Sequence, residues 1–207
     1  MRANNPGKVT DRLHFKPLTI ARWNDFEELF GERGGCAGCW CMFWRLDHAT
    51  FERQKGAANR KAMKRIVAAG EIPGILAYVN SKPIGWCAVA PRDKYFRLER
   101  SRVLAPIDGE KVWSIVCLFV ERSFRRRGIS SALIRAAGEF VGERGGKMVE
   151  GYPIEPRKAS APDAFVWTGL ASAFRRAGFT ELERRSPTRP IMRRMASRRW
   201  SRSARSH

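Results

Sequence analysis

The chain has 207 residues, 43% of them hydrophobic, and a formal charge of +20, which gives room for one core plus a tail and excludes global disorder. No apolar run approaches the roughly 18 residues of a membrane span. The N-terminus has no apolar signal region, and five cysteines without an export signal argue against a disulfide framework, so the expectation is a soluble, cytoplasmic protein with no membrane contact.

In chain order, "LHFKPLTI" (13–20) reads as a first strand and "ARWNDFEELFGE" (21–32) as a helix with Trp23, Phe26, Leu29 and Phe30 on one face. A cysteine-rich stretch follows. "AANRKAMKRIVAAG" is a second helix with the stripe Ala62, Met63, Ile66 and Val67, closed by Gly70. "GILAYV" (74–79) and "IGWCAVA" (84–90) flank a polar turn and predict a hairpin. "RDKYFRLERS" (92–101) reads as a short helix. "VWSIVCLFV" (112–120) is the most apolar strand, buried on both faces. "ISSALIRAAGEFVGER" returns to helical spacing, "KMVEGY" (147–152) is a fifth strand, and "GLASAFRRAGF" is a short helix ended by Gly178. "TELERRS" and "RPIMRRM" read as a closing hairpin. The pattern is α/β, and the 112–152 unit is long enough for a parallel crossover.

Chemistry concentrates in "FVERSFRRRGISSALI" (119–134). A strand ends, a turn carries Arg125, Arg126, Arg127 and Gly128, and a helix opens at Ile129, Ser130 and Ser131. Helix openings expose unpaired N–H donors at the positive end of the dipole. Gly128 lets a ligand approach the backbone, and the arginines add forked donors. Together they form a cradle for a diphosphate. Neither a GxxxxGK[ST] loop nor a GxGxxG fingerprint is present.

"RRRGIS" (125–130) resembles the acyl-coenzyme A signature of the GNAT N-acetyltransferase superfamily, with Ser130 standing where Gly or Ala is usual. "FRRAGF" (174–179) resembles that family's late stretch, and the order of elements matches over about residues 10–195. The resemblance implies a mixed, mostly antiparallel central sheet, flanked by helices and splayed between strands 4 and 5. It implies one domain over 1–195 and a basic Arg/Ser-rich tail over 196–207. The implied activity is acetyl transfer from acetyl-CoA to a primary amine of a small molecule or protein, by direct attack on the thioester. Leu118, Phe119 and Val120 would pair with the pantetheine arm, and amides from Arg126 to Ser131 would hold the diphosphate. A Leu118 N–H would stabilise the oxyanion. Two usual catalytic positions differ: Phe174 stands for the family's tyrosine and Ser114 for the glutamate of histone-type members. Glu150 and Tyr152, beside the implied slot, are the candidates for proton transfer.

The stretch "GGCAGCWCMFWR" (34–45) admits three readings. Cys36, Cys39 and Cys41 with His48 match no common zinc spacing, and no metal is expected. Arg33 and Arg45 make a redox thiol a candidate. The third reading is a pocket or core wall built from Trp40, Cys41, Phe43 and Trp44, met by Trp86. After Glu183 the chain has no acidic residue, so nucleic acid is a secondary candidate partner through the tail. A non-catalytic coenzyme sensor or nucleic-acid module is the competing function. Acceptor identity and oligomeric state, a homodimer included, stay open.

Overall fold

Among the described residues, alternating and continuous apolar runs build seven strands: β1 (Leu13–Pro17), β2 (Gly74–Val79), β3 (Lys82–Pro91), β4 (Val112–Val120), β5 (Met148–Gly151), β6 (Thr180–Glu183) and β7 (Ile191–Met195). The α-helices among these residues are α1 (Trp23–Phe30), α2 (His48–Gln54), α3 (Ala57–Ala68), α4 (Phe96–Glu99), α5 (Ile129–Glu143) and α6 (Ala171–Arg176). The structure is a computed structural model that describes residues 13–156 and 166–198. The first twelve positions, most of the expected loop 153–164, and the Arg-rich tail from Arg199 to His207 lie outside the described residues.

The strands form one sheet in the order β1-β2-β3-β4-β5-β7-β6, and only β4 and β5 run parallel. This is the open, mixed sheet that the signature implies. The α1 stripe Trp23, Phe26, Leu29 and Phe30 is buried on one face against Trp86, with Phe26 edge-on to Trp86 at 4.9 Å. Each such side chain contributes about 1.5–3 kcal/mol of burial. Leu133, Ile134 and Ala137 of α5 cover the other face, together with Phe174 of α6.

The geometry that matters functionally is where β4 and β5 part. Their register runs from Val112↔Met148 to Ile115↔Gly151 and stops. β4 continues to Val120, while Pro153, which has no N–H to give a ladder, follows shortly after β5. The β3–β4 register shifts between Ala88/Val89, leaving Val116 as the extra residue on β4. A bulge of this kind bends and twists the strand, here at the start of the split.

One element is additional to the sequence reading. Helix α2 has a single buried residue, Phe51, and so offers no apolar stripe; Asp47 caps it by accepting the Thr50 N–H at 2.9 Å. After β7, Ala196 N–H donates to Lys147 O and Ser197 N–H to Gly138 O. Among the described residues, no helix is long and apolar enough to cross a membrane.

Candidate active site

Gly128 is the hinge of the site. It sits at φ +80°, the left-handed conformation glycine tolerates, and caps the start of α5. A Cβ added there would meet nothing within 4 Å, because the residue faces a cavity of about 900 Å³. The first helical bond is Ala132 N–H to Gly128 O at 3.1 Å, so the amides of Ile129, Ser130 and Ser131 have no helical carbonyl behind them. Arg125 Nε donates to Val120 O at 3.0 Å and ties the turn to the end of β4.

The cavity is lined by Leu118, Phe119 and Val120 of β4, by Arg125, Arg126 and Gly128 of the turn, and by Ile129, Ser130 and Ser131 of α5. Arg127 does not line it; its guanidinium lies 5.7 Å over the Phe124 ring. Sequence reasoning missed the opposite wall, which consists of Ile154–Pro156, Val166, Trp167, the residues from Gly169 to Ala173, and Arg176. Arg176 adds a third arginine, with Nε donating to Ser131 Oγ at 3.3 Å. Its signal was present in "FRRAGF", two residues before Gly178. Glu155, the wall's carboxylate, is bonded to Arg175 and Arg184, which hold its pKa down at about 2. A phosphate group therefore fits this end on chemistry and on space: arginines, first-turn amides, and a glycine whose missing Cβ leaves the backbone open.

Glu150 and Tyr152 lie inside a buried network. Tyr152 OH donates to Glu150 Oε2 at 2.8 Å, receives Arg92 Nη1 at 2.8 Å, and stands 3.0 Å from Ser114 Oγ. Ser114 is directly opposite Glu150 in the β4–β5 register. The sequence departs from histone-type members at this position of β4, yet a carboxylate is present one strand over. Arg193 Nη2 and Nε donate to Glu150 Oε1 at 2.7 and 2.9 Å, and Arg193 also pairs with Asp108. Burial, then the Glu150 charge, pushes the Tyr152 hydroxyl pKa well above its ordinary value. Glu150 also lines a second cavity of about 420 Å³, shared with Arg92, Asp108 and Arg193.

The cysteine-rich stretch folds into the core. Trp40, Cys41, Trp44 and Trp86 are all buried, and none of them, nor Phe43, lines either cavity. Of the third reading, the core wall describes these side chains, and neither of the two cavities reaches them. The cause is backbone shape: Ala37, Trp40 and Cys41 have positive φ, and the chain curls so that the Trp40 indole lies over Gly34, where a Cβ would sit 2.2 Å from Nε1. The Cys117 thiol hydrogen bond, then the Trp86 indole N–H at 3.2 Å, lower the Cys41 pKa, while burial raises that of Cys39 to about 11. Among the described residues no three His, Cys, Asp or Glu side chains are grouped to hold a metal ion. Only Gly35 and Cys36 of this stretch reach the larger cavity.

A model of the Acetyltransferase (GNAT) family matches residues 37–160, more than half of the chain. The chain belongs to this family. No curated protein matches it. Among solved structures, PaiA N-acetyltransferase from Thermoplasma acidophilum in complex with coenzyme A is similar at 13% identity and TM-score 0.50, covering 88% of this chain and 98% of that one. A GNAT-family acetyltransferase from Listeria monocytogenes is similar at 13% identity and TM-score 0.53, covering 88% and 94%. One from Streptococcus agalactiae gives 9% and 0.54, covering 89% and 96%. At these identities the likeness to solved structures is a likeness of fold. In this GNAT chain the cradle turn and the split both fall within the matched region.

Proposed function

We propose that this protein transfers an acetyl group from acetyl-coenzyme A to a primary amine of a small molecule or protein. One observation carries the reading: the left-handed Gly128 cap opens α5 onto a large arginine-bearing cavity beside the split between β4 and β5. Acetyl-coenzyme A, when bound, supplies the thioester. Arg125, Arg126 and Arg176, with the amides of Ile129 to Ser131, hold its phosphates. The β4 edge at Leu118 to Val120 orients the arm as an added strand does.

Proton handling falls to the buried network. An alkyl amine must shed a proton to react. Ser114 and Tyr152 lead to Glu150, and Glu150 reaches the second cavity. Tyr152 keeps its proton through neutral pH; fully buried and lining neither cavity, it holds and orients Glu150 through its hydroxyl. Phe174 and Ser114 favour a second reading, coenzyme binding without transfer. An acceptor screen with acetyl-coenzyme A separates the two, since acetylated amine appears only under the first.

Gly128→Leu tests the cradle. Its side chain would project into the cavity and block the phosphates, with about 1–2 kcal/mol of backbone strain. Calorimetry should show coenzyme A affinity lost while circular dichroism stays native. Unchanged affinity in a folded variant would refute the reading.

A further inference from the structure

The wedge between β4 and β5 is filled by the chain itself. Leu118 N–H donates to Trp167 O at 2.7 Å, Ile154 N–H to Gly169 O at 2.8 Å, and Ala171 N–H to Ile154 O at 3.0 Å. Residues 167–171 thus form a strap from the diverging end of β4 to the continuation of β5. Its side chains are anchored on both sides. The Trp167 ring packs edge-on against Phe43 at 5.0 Å and lies 5.9 Å from Trp44. Thr168 is fully buried, and its hydroxyl accepts from Arg189 Nη1, which also donates to Tyr152 O. Gly169, at φ +86°, fits against Leu118 and Phe174 so closely that a Cβ would lie 2.7 Å from Leu118 Cδ1.

We propose that this strap and the pantetheine arm compete for the Leu118 N–H, so that Trp167 and Arg189 set coenzyme affinity by holding the strap in place. The inference rests on the cradle reading above. An extended arm adding to β4 needs the main-chain donors of that edge, and one amide hydrogen makes one strong bond. With the strap docked, Trp167 and Gly169 line the same cavity as Leu118 and Gly128, and the Leu118 N–H is already bonded to Trp167 O. Apparent affinity for an arm-bearing ligand is then the intrinsic affinity scaled by the undocked fraction. A nucleotide without the arm is indifferent to the strap. Coenzyme affinity, and through it the saturation of the enzyme, is tuned by residues outside the phosphate cradle.

The test compares coenzyme A with 3′-phospho-ADP, the same nucleotide without its arm, by calorimetry on the full chain. Trp167→Ala should tighten coenzyme A about tenfold, as expected when about 1.4 kcal/mol of strap docking is lost, and leave 3′-phospho-ADP unchanged. Arg189→Gln, which removes the ties to Thr168 and Tyr152, should act in the same direction and serves if Trp167→Ala does not fold. On the unaltered protein, hydrogen exchange across 167–171 should rise with coenzyme A and stay constant with 3′-phospho-ADP. Equal or weaker coenzyme A binding in the variants, or exchange that falls with coenzyme A, overturns the competition while the cradle stands. Failure of the unaltered protein to bind even 3′-phospho-ADP overturns the cradle, and the competition with it.

Discussion

At the scale of single residues, the proposed proton handling is tested at Tyr152 and Glu150. Tyr152→Phe removes the hydroxyl that joins Arg92, Ser114 and Glu150 and leaves the ring packed. The expected result is a fall in kcat on the order of 100-fold, with KM for acetyl-coenzyme A unchanged. Glu150→Gln should lower kcat similarly. Glu150→Ala differs: it leaves Arg193 and Arg92 facing a lost carboxylate, and breaking such a buried pair costs about 3–5 kcal/mol. A denaturant melt distinguishes that loss of stability from a loss of chemistry. Both residues were legible in sequence as members of the fifth-strand segment. Their partners were not, because Arg92 and Arg193 lie 60 and 43 residues from the groups they touch.

At the scale of elements, Phe174 decides how α6 sits. Its ring is fully buried, meets Phe179 edge-on at 5.1 Å, and fills the space a Cβ would need at Gly151 and Gly169. The residue standing at the family's tyrosine position therefore packs the junction of β5, α6 and the strap. Phe174→Ala should cost about 3–5 kcal/mol through the cavity it leaves. For a chain of this size that lowers Tm on the order of 10 °C, read by calorimetric melting. The long periodic elements were legible in sequence. Val112–Val120 and Ile129 onward follow the expected spans, since nine apolar-rich residues and a 3.6-residue repeat carry their own signal. Helix α2 and the strap carry none: the first is held by a cap and one buried phenylalanine, the second by main-chain bonds to Leu118 on β4 and to Ile154 after β5.

For the whole molecule, the three tyrosines of the sequence, Tyr78, Tyr95 and Tyr152, share one property. Burial is the first cause raising each pKa above 10.0; Asp25 adds to it at Tyr78 and Glu150 at Tyr152. The folded state keeps these protons where the unfolded state releases them. Stability is therefore full below about pH 10 and falls as pH rises beyond it. Phenolate absorbance should appear only together with the loss of near-UV circular dichroism. A separate, earlier tyrosine titration would show that the hydroxyls are not enclosed as described. The +20 charge draws polyanions generally; the cavity gives that field a destination, through Arg125, Arg126 and Arg176.

By itself the sequence determined the family resemblance, the order of elements and the strand–turn–helix unit on which the cradle is proposed. Strand, turn and helix opening are written within sixteen consecutive residues, where local period, glycine and charge are enough. Tertiary structure alone decided the rest. It set where the aromatic and cysteine side chains of 34–45 end up, which guanidiniums flank Glu150, and what holds the Leu118 amide. Each of these depends on segments distant in sequence meeting at one point, and no local spacing encodes such a meeting.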